Sequence, residues 1–264
     1  MIDIHAHLCF RDFAESRESI ADECEKEMQA VIVTSARLEE GICALDLCSR
    51  HEKLFPTIGF HPVEGGTEVR RIMELARERQ DEIVGIGEVG LDYHWVRDEA
   101  KRRQQKEVFS GFIELAEELK KPLVLHCWDA EEDAFEMVRN ANVPVIFHSY
   151  TGPKELVPGI LEHDNFYISI STHVLLSKHL RKLAKLVPLE RMTLETDAPF
   201  LSPYKYMQAK GAVGKLKPGF DPEKNYPWNI QFSAEKIAEL KGVDTADVIA
   251  KTSANARLVF GLRI

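Results

Sequence analysis

Eight short, β-branched apolar runs alternate with charged, amphipathic stretches along this 264-residue chain. That alternation restricts the possible fold more than any other feature. The runs are Met1–His5, Ala30–Thr34, Leu54–Phe60, Ile83–Glu88, Pro122–His126, Val143–His148, Phe166–Ile170 and Met192–Glu195. Most are continuously apolar, the pattern of strands buried on both faces of a parallel sheet. Between them, Glu18–Met28, Glu68–Gln80, Asp98–Leu119, Ala130–Asn140 and Ser177–Leu186 carry the period of helices with one apolar face. Eight strands, each followed by something helical, predict an α/β fold: a single (β/α)8 TIM barrel rather than an open doubly wound sheet. No repeat, low-complexity tract or Ser/Gly linker divides the chain, so one domain over residues 1–264 is expected. Pro199, Pro203, Pro218, Pro222 and Pro227 punctuate Ala198–Pro227, which predicts a long irregular loop after the last strand. Beyond it, Ile230–Leu240 and Thr245–Phe260 read as C-terminal helices that close the barrel.

Composition removes several classes of function. A net charge of −9 is wrong for a protein that coats nucleic acid by bulk electrostatics, although a local basic patch is compatible with it. No apolar run approaches the ~18–20 residues of a membrane helix, so no membrane partner is expected. The chain enters a strand at once, Met1-Ile-Asp-Ile-His5, and no signal peptide is expected. Cys9, Cys24, Cys43, Cys48 and Cys127 form an odd set without C-x-x-C spacing. Such usage suits reduced thiols in a cytoplasm and not a disulfide framework.

The chemistry concentrates at strand ends. His5 and His7 end the first run, His61 follows the third, Glu88 ends the fourth, His126 the fifth and His148 the sixth. Asp197 follows the eighth. In a barrel all of these point to the C-terminal rim, so five of the ten histidines and two carboxylates converge on one mouth. Any one of these histidines alone reads as a buried, hydrogen-bonded core residue. Together, imidazoles and carboxylates at barrel strand ends read as metal ligands. Residues two apart on a strand share a face, which lets His5 and His7 chelate one ion. Donors without thiolate suit Zn2+, Mn2+, Fe2+, Ni2+ or partly hydrated Mg2+. Six donors exceed one tetrahedral ion and match two divalent ions sharing a carboxylate, with Glu88 or Asp197 as the bridge.

Other motifs carry less. Gly85-Ile-Gly87-Glu88-Val-Gly90-Leu-Asp92 lacks the Gly-x-x-x-x-Gly-Lys-Ser/Thr phosphate-loop pattern; Gly87 and Gly90 instead let the backbone approach the centre closely. Asp92 and Tyr93 are either turn residues or contacts to ligands and substrate. A Gly-x-Ser-x-Gly elbow is absent, and Lys101-Arg102-Arg103 and Arg181-Lys182 read as solvated helix faces.

Asp3-Ile-His5-Ala-His7, Gly59-Phe-His61-Pro62, Gly87-Glu88-Val-Gly90-Leu-Asp92-Tyr93, Leu125-His126-Cys-Trp-Asp-Ala130, His148-Ser-Tyr-Thr-Gly152 and Glu195-Thr-Asp197-Ala-Pro199-Phe-Leu201 occur in that order. Together with Asn255-Ala-Arg257-Leu-Val-Phe260-Gly261-Leu262, this set resembles the TatD-type metal-dependent hydrolases among the amidohydrolase-like TIM barrels, over nearly the whole chain. The resemblance implies a divalent-metal-dependent, cytoplasmic deoxyribonuclease or related phosphoesterase of 3′-5′ exonuclease type, acting on DNA ends or single strands. It implies two divalent ions (Mg, Mn or Zn), one held by His5, His7, Glu88 and Asp197, the other by the shared Glu88 with His126 and His148. By the same resemblance Asp197 and Glu88 are catalytic, and Asp197 orients or deprotonates the attacking water. His61 is then a catalytic, substrate-side residue near the scissile phosphate, with Tyr93 and Trp128 as further substrate contacts. Two departures bear on substrate choice. Many relatives have an Arg two residues after the fifth-strand histidine, where Trp128 offers base stacking or an apolar pocket instead. The usual sixth-strand His-Cys-Phe-x-Gly is here His148-Ser-Tyr-Thr-Gly152.

Two rival readings keep the barrel. A metal-dependent amidohydrolase or esterase, such as a D-aminoacyl-tRNA deacylase, would polarise a carbonyl. Glu88 stands where many binuclear amidohydrolases carry a carboxylated lysine, which counts against it. A non-catalytic module with a vestigial site is opposed by the intact donor set.

Overall fold

The computed structural model describes residues 1–64 and 68–264. Among them, β1 (Ile2–Ala6), β2 (Ala30–Val33), β3 (Leu54–Ile58), β4 (Gly85–Asp92), β5 (Leu123–Trp128), β6 (Val145–Phe147), β7 (Phe166–Ser171) and β8 (Met192–Glu195) pair in parallel, in sequence order. The pairing runs from Ile2↔Ala30 through Ser171↔Glu195, with register shifts between Asp3 and Ala6 in β1 and between Ile86 and Val89 in β4. The first and last strands meet at their C-terminal ends. There Asp197 N donates to His5 O at 2.9 Å and His7 N to Ala198 O at 2.7 Å. The closing seam of the barrel is therefore also part of its mouth.

Helices α1 (Arg17–Glu27), α2 (Leu38–Cys48), α3 (Val69–Glu78), α4 (Glu99–Leu119), α5 (Glu131–Val138), α6 (Val157–Leu161) and α7 (Lys178–Leu186) fill the crossovers. Continuously apolar strands require cover on both faces, and these helices supply the outer one. Their starts follow local chemistry where a cap exists. Asp98 accepts from Lys101 N ahead of α4, and Ser177 accepts from Leu180 N ahead of α7. The last helices are α9 (Ile230–Lys241) and α10 (Thr245–Phe260). Ala256, Val259 and Phe260 of α10 pack with Ile2, Ile4, Ile32, Val124 and Ile146, so the final helix plugs the floor opposite the mouth.

Three expectations are corrected. The expected loop Ala198–Pro227 contains α8 (Tyr204–Ala209). It is also tied down: Asn225 Nδ2 donates to Thr172 Oγ1 and to Thr196 O, both at 2.8 Å, pinning the loop to the ends of β7 and β8. Glu88 does not end β4, which runs on to Asp92. A register shift between Ile86 and Val89 lets the strand leave β3 and continue along β5 alone, from Val89↔Leu125 to Asp92↔Trp128. Finally, Cys9 and Cys43, expected to be reduced, are joined as a disulfide with Cα atoms 6.0 Å apart, while Cys24, Cys48 and Cys127 are free. The pair is separated by 34 residues in sequence and meets only because β1 and β2 are neighbours, which no cysteine spacing announces. No helix is long and apolar enough to cross a membrane among the described residues.

Candidate metal centre

Glu88 is the centre of the mouth, buried, with its two oxygens turned to different groups of nitrogens. Oε2 lies 3.5 Å from His5 Nε2 and 3.5 Å from His7 Nε2. Asp197 Oδ1 completes that group at 3.8 Å from His5 Nε2 and 3.5 Å from His7 Nε2. The imidazoles of His5, on β1, and His7, just past its end, face each other at 3.1 Å between Nε2 atoms. Oε1 faces the second group: His126 Nδ1 at 2.7 Å, His148 Nε2 at 3.5 Å and His61 Nε2 at 3.6 Å. All seven side chains expected at the rim are thus within one cluster, and the six expected ligands gather about one carboxylate, with His148 also stacked on His5 at 3.6 Å between ring centroids. Nitrogens and carboxylate oxygens converging this closely, with no lysine or arginine among them, are a donor set that fits divalent ions.

The backbone explains how such crowding is possible. A Cβ at Gly90 would stand 2.0 Å from His126 O, and one at Gly59 would stand 2.3 Å from Gly87 C. Only glycine lets β4 lie this close to its neighbours, with Glu88 between them. Asp197 adopts φ +59°, a left-handed conformation that Asp tolerates better than most residues.

Behind the cluster stand carboxylates the sequence reading left undecided or unassigned. His126 turns Nε2 to Asp92 Oδ2 at 3.1 Å while its Nδ1 faces Glu88. His148 turns Nδ1 to within 2.9 Å of the buried Glu195 Oε1, at an ion-pair distance but without hydrogen-bond alignment. Both patterns are those of metal-ligating histidines, whose second nitrogen is held by an outer carboxylate. His61, Asp92 and His126 also lie close enough to be a ligand group by themselves. Since His126 points Nδ1 at Glu88, Asp92 is better placed as its support. Glu195 is the last residue of β8, two residues before Asp197, and its role shows only in what it faces. Asp3 accepts from His5 N at 3.1 Å and Thr196 N at 3.0 Å, bracing the seam between the two strands.

Electrostatics follow from this packing. Burial opposes a charged imidazole at His126, but the Asp92 and Glu88 carboxylates outweigh it and push it up to about 9. At His148 burial is likewise overcome, by Glu195 and Glu88, and the imidazole rises to about 10. Burial also works against ionised Glu88, yet the surrounding imidazoles hold its carboxyl well below the usual range. For Asp197 burial is offset by His7 and His148, with the net effect downward. His61 goes the other way, pulled down by burial to about 3. Its Nδ1 accepts from Val63 N at 3.3 Å, so the neutral ring carries its proton on Nε2, facing the cluster.

A cavity of about 380 Å3 opens beside the cluster, lined by His126, Trp128, His148, Ser149, His173 and Asp197, among others. Trp128, expected at the substrate, is there. Tyr93, expected beside it, is engaged elsewhere: its hydroxyl donates to Asp133 Oδ2 at 2.7 Å and the Arg102 guanidinium lies 4.4 Å over its ring. His173 was missed, since a lone histidine in the turn after β7 carries no motif.

A (β/α)8 barrel with imidazoles and carboxylates packed at its C-terminal mouth defines a metal-dependent hydrolase. The chain belongs to the TatD-related DNase family, whose model matches residues 2–261. It is 32% identical over 250 residues to an uncharacterized metal-dependent hydrolase of Methanocaldococcus jannaschii, covering 94% of this chain and 91% of that one. It is 30% identical over 274 residues to the 3′-5′ ssDNA/RNA exonuclease TatD of Escherichia coli, covering 99% of each. The crystal structure of a TatD homolog from Escherichia coli K12 superposes with a TM-score of 0.84 at 19% identity, covering 99% of this chain and 98% of that chain.

Proposed function

We propose that one hydrolase domain spanning residues 1–264 cleaves phosphodiester bonds at single-stranded nucleic acid ends, DNA above all, in the 3′-5′ direction, using two divalent ions. The observation that carries this reading is the division of Glu88: one oxygen toward His5 and His7, the other toward His126 and His148. A carboxylate so placed would be shared between two ions. His5, His7, Glu88 and Asp197 would hold the first, and Glu88, His126 and His148 the second, with Mg2+, Mn2+ or Zn2+ as candidates. When bound, the pair supplies a nucleophile at neutral pH by lowering the pKa of water and neutralises charge building at phosphorus.

The chain's own residues do the rest. Asp197, held ionised at the seam, accepts the proton of the attacking water and orients it. His61 offers a neutral Nε2–H to a non-bridging phosphate oxygen, so it stabilises developing charge without needing to titrate. Trp128 walls the cavity where the scissile nucleotide's neighbour would lie. The acidic balance of the molecule, −9 overall, suits a protein that grips one strand end at its ions and does not coat duplex.

The test uses metal-stripped protein with Mg2+, Mn2+ or Zn2+ added back separately, assayed on bis(p-nitrophenyl) phosphate and on single-stranded oligonucleotides labelled at either end. Expected is metal-dependent cleavage of both, shortening from the 3′ end, and abolished in His5→Ala and Asp197→Ala. Silence with every ion, in protein that binds metal, would move the reading to carbonyl substrates.

A further inference from the structure

Two exposed indoles stand at the rim of the mouth, and the fold makes no use of them. Trp95 is 67% exposed and Trp128 39% exposed, although tryptophan is among the side chains that gain most from burial. They are not scattered. The His94 ring stacks on Trp128 with centroids 4.1 Å apart and planes 8° from parallel. Trp95 stands edge-on to both, at 5.2 Å from His94 and 6.1 Å from Trp128.

This group is rigidly joined to the catalytic strands. Trp128 is the last residue of β5, two beyond His126, and pairs in register with Asp92 at the end of β4. Tyr93 N donates to Trp128 O at 2.9 Å. Asp92 holds both parts at once: Oδ1 accepts from Trp95 N at 2.7 Å, and Oδ2 meets His126 Nε2 at 3.1 Å. Asp129 Oδ2, 3.0 Å from His94 Nδ1, fixes the imidazole against the indole. Trp128 also lines the cavity that His126, His148 and Asp197 share. A continuous path therefore leads from the reacting centre onto an aromatic surface.

We propose that Trp95, with His94 and Trp128, forms a ledge on which unpaired bases of the substrate strand stack, so that the enzyme selects single-stranded over duplex ends. The inference rests on the phosphodiesterase reading and goes beyond it by naming what recognises the strand. Flat π-faces suit bases of any identity, and the local charge from Asp92 and Asp129 gives no grip on a phosphate backbone. Bases inside a duplex are already stacked on each other and present only edges, which this ledge does not read.

The experiment measures binding without turnover. Metal-stripped protein is titrated into end-labelled five-residue oligothymidylate or oligouridylate in the presence of chelator, with fluorescence polarisation as the signal. Saturable binding is expected, weakened roughly ten- to hundredfold in Trp95→Ala and in Trp128→Ala, and largely restored in Trp95→Phe. An unlabelled blunt hairpin duplex, long enough to stay fully paired at the assay temperature, should compete poorly. Comparing oligouridylate with oligodeoxyuridylate, which differ only in the 2′-hydroxyl, identifies DNA or RNA as the source of the bases. Affinity in Trp95→Ala within twofold of wild type, equal competition by duplex, or no binding at all by the wild type would overturn the proposal. Cleavage of bis(p-nitrophenyl) phosphate by metal-loaded wild type, a substrate with no nucleobase, reports the phosphodiesterase reading separately. Cleavage with indifference to Trp95 removes the ledge alone, whereas Trp95-dependent binding without any cleavage removes the enzymatic reading alone.

Discussion

At the scale of single residues, the account rests on which nitrogen of each imidazole faces Glu88. His126 and His148 each present one nitrogen to the cluster and the other to an outer carboxylate, Asp92 or Glu195. Asp92→Asn and Glu195→Gln should therefore lower metal affinity or activity by about 10–100-fold while leaving the fold intact. Metal titration together with circular dichroism checks this. The same contacts set a pH dependence. In the metal-free chain His126, near 9, and His148, near 10, carry protons at neutral pH. These protons must leave when the imidazoles take an ion, so uptake at pH 7 releases protons and affinity climbs as pH rises toward 9–10. Calorimetry in two buffers of different ionisation enthalpy should show this release; identical heats would contradict it. For folding of the metal-free chain the sign is opposite. Both folded values lie above the ordinary ~6.5, so the stabilisation is complete below ~6.5 and lost as pH rises through about 9 and 10.

At the scale of elements, the close approach of β4 to β5 is what brings ligands from different strands into contact. Gly90→Ala would drive a Cβ into His126 O, 2.0 Å away, in a backbone conformation at φ +147° that disfavours any side chain. Expected are a loss of stability of about 1–3 kcal/mol by overpacking and a displaced β5, read as a lower melting temperature with reduced activity. Strands and long helices were legible because burial on both faces writes continuous apolar runs: β8 (Met192–Glu195) and α10 (Thr245–Phe260) fall on their expected bounds. The extension of β4 past Glu88 was not legible, because it depends on a register shift against a neighbouring strand. Likewise the Cys9–Cys43 bond depends on tertiary proximity, and α8 hides among prolines that read locally as loop. Of the candidate centre, six of the seven rim residues could be placed from strand-end position, and Glu88 was reached although it lies inside β4 and not at its end. Glu195, His173 and Trp95 could not, since their significance lies in what they face across the barrel mouth.

For the whole molecule, floor and mouth are separate tasks. Phe260 packs at the N-terminal end of the strands, where a Cβ on Gly85 would meet its ring at 3.3 Å. Phe260→Ala should cost about 3–5 kcal/mol of stability and lower the melting temperature, with kcat on bis(p-nitrophenyl) phosphate preserved below the transition. By contrast, His126→Ala with His148→Ala should abolish activity while the metal-free protein still unfolds in one cooperative thermal transition, at a lower temperature because buried carboxylates lose their imidazole partners. The measurement that tests the central claim most directly is the number of ions bound per chain, by mass spectrometry of dialysed protein. The bridging arrangement of Glu88 predicts two ions in the wild type, one in the His126→Ala, His148→Ala double variant, and loss of tight binding at both positions in Glu88→Ala. A single ion in the wild type, or two retained in Glu88→Ala, would contradict it.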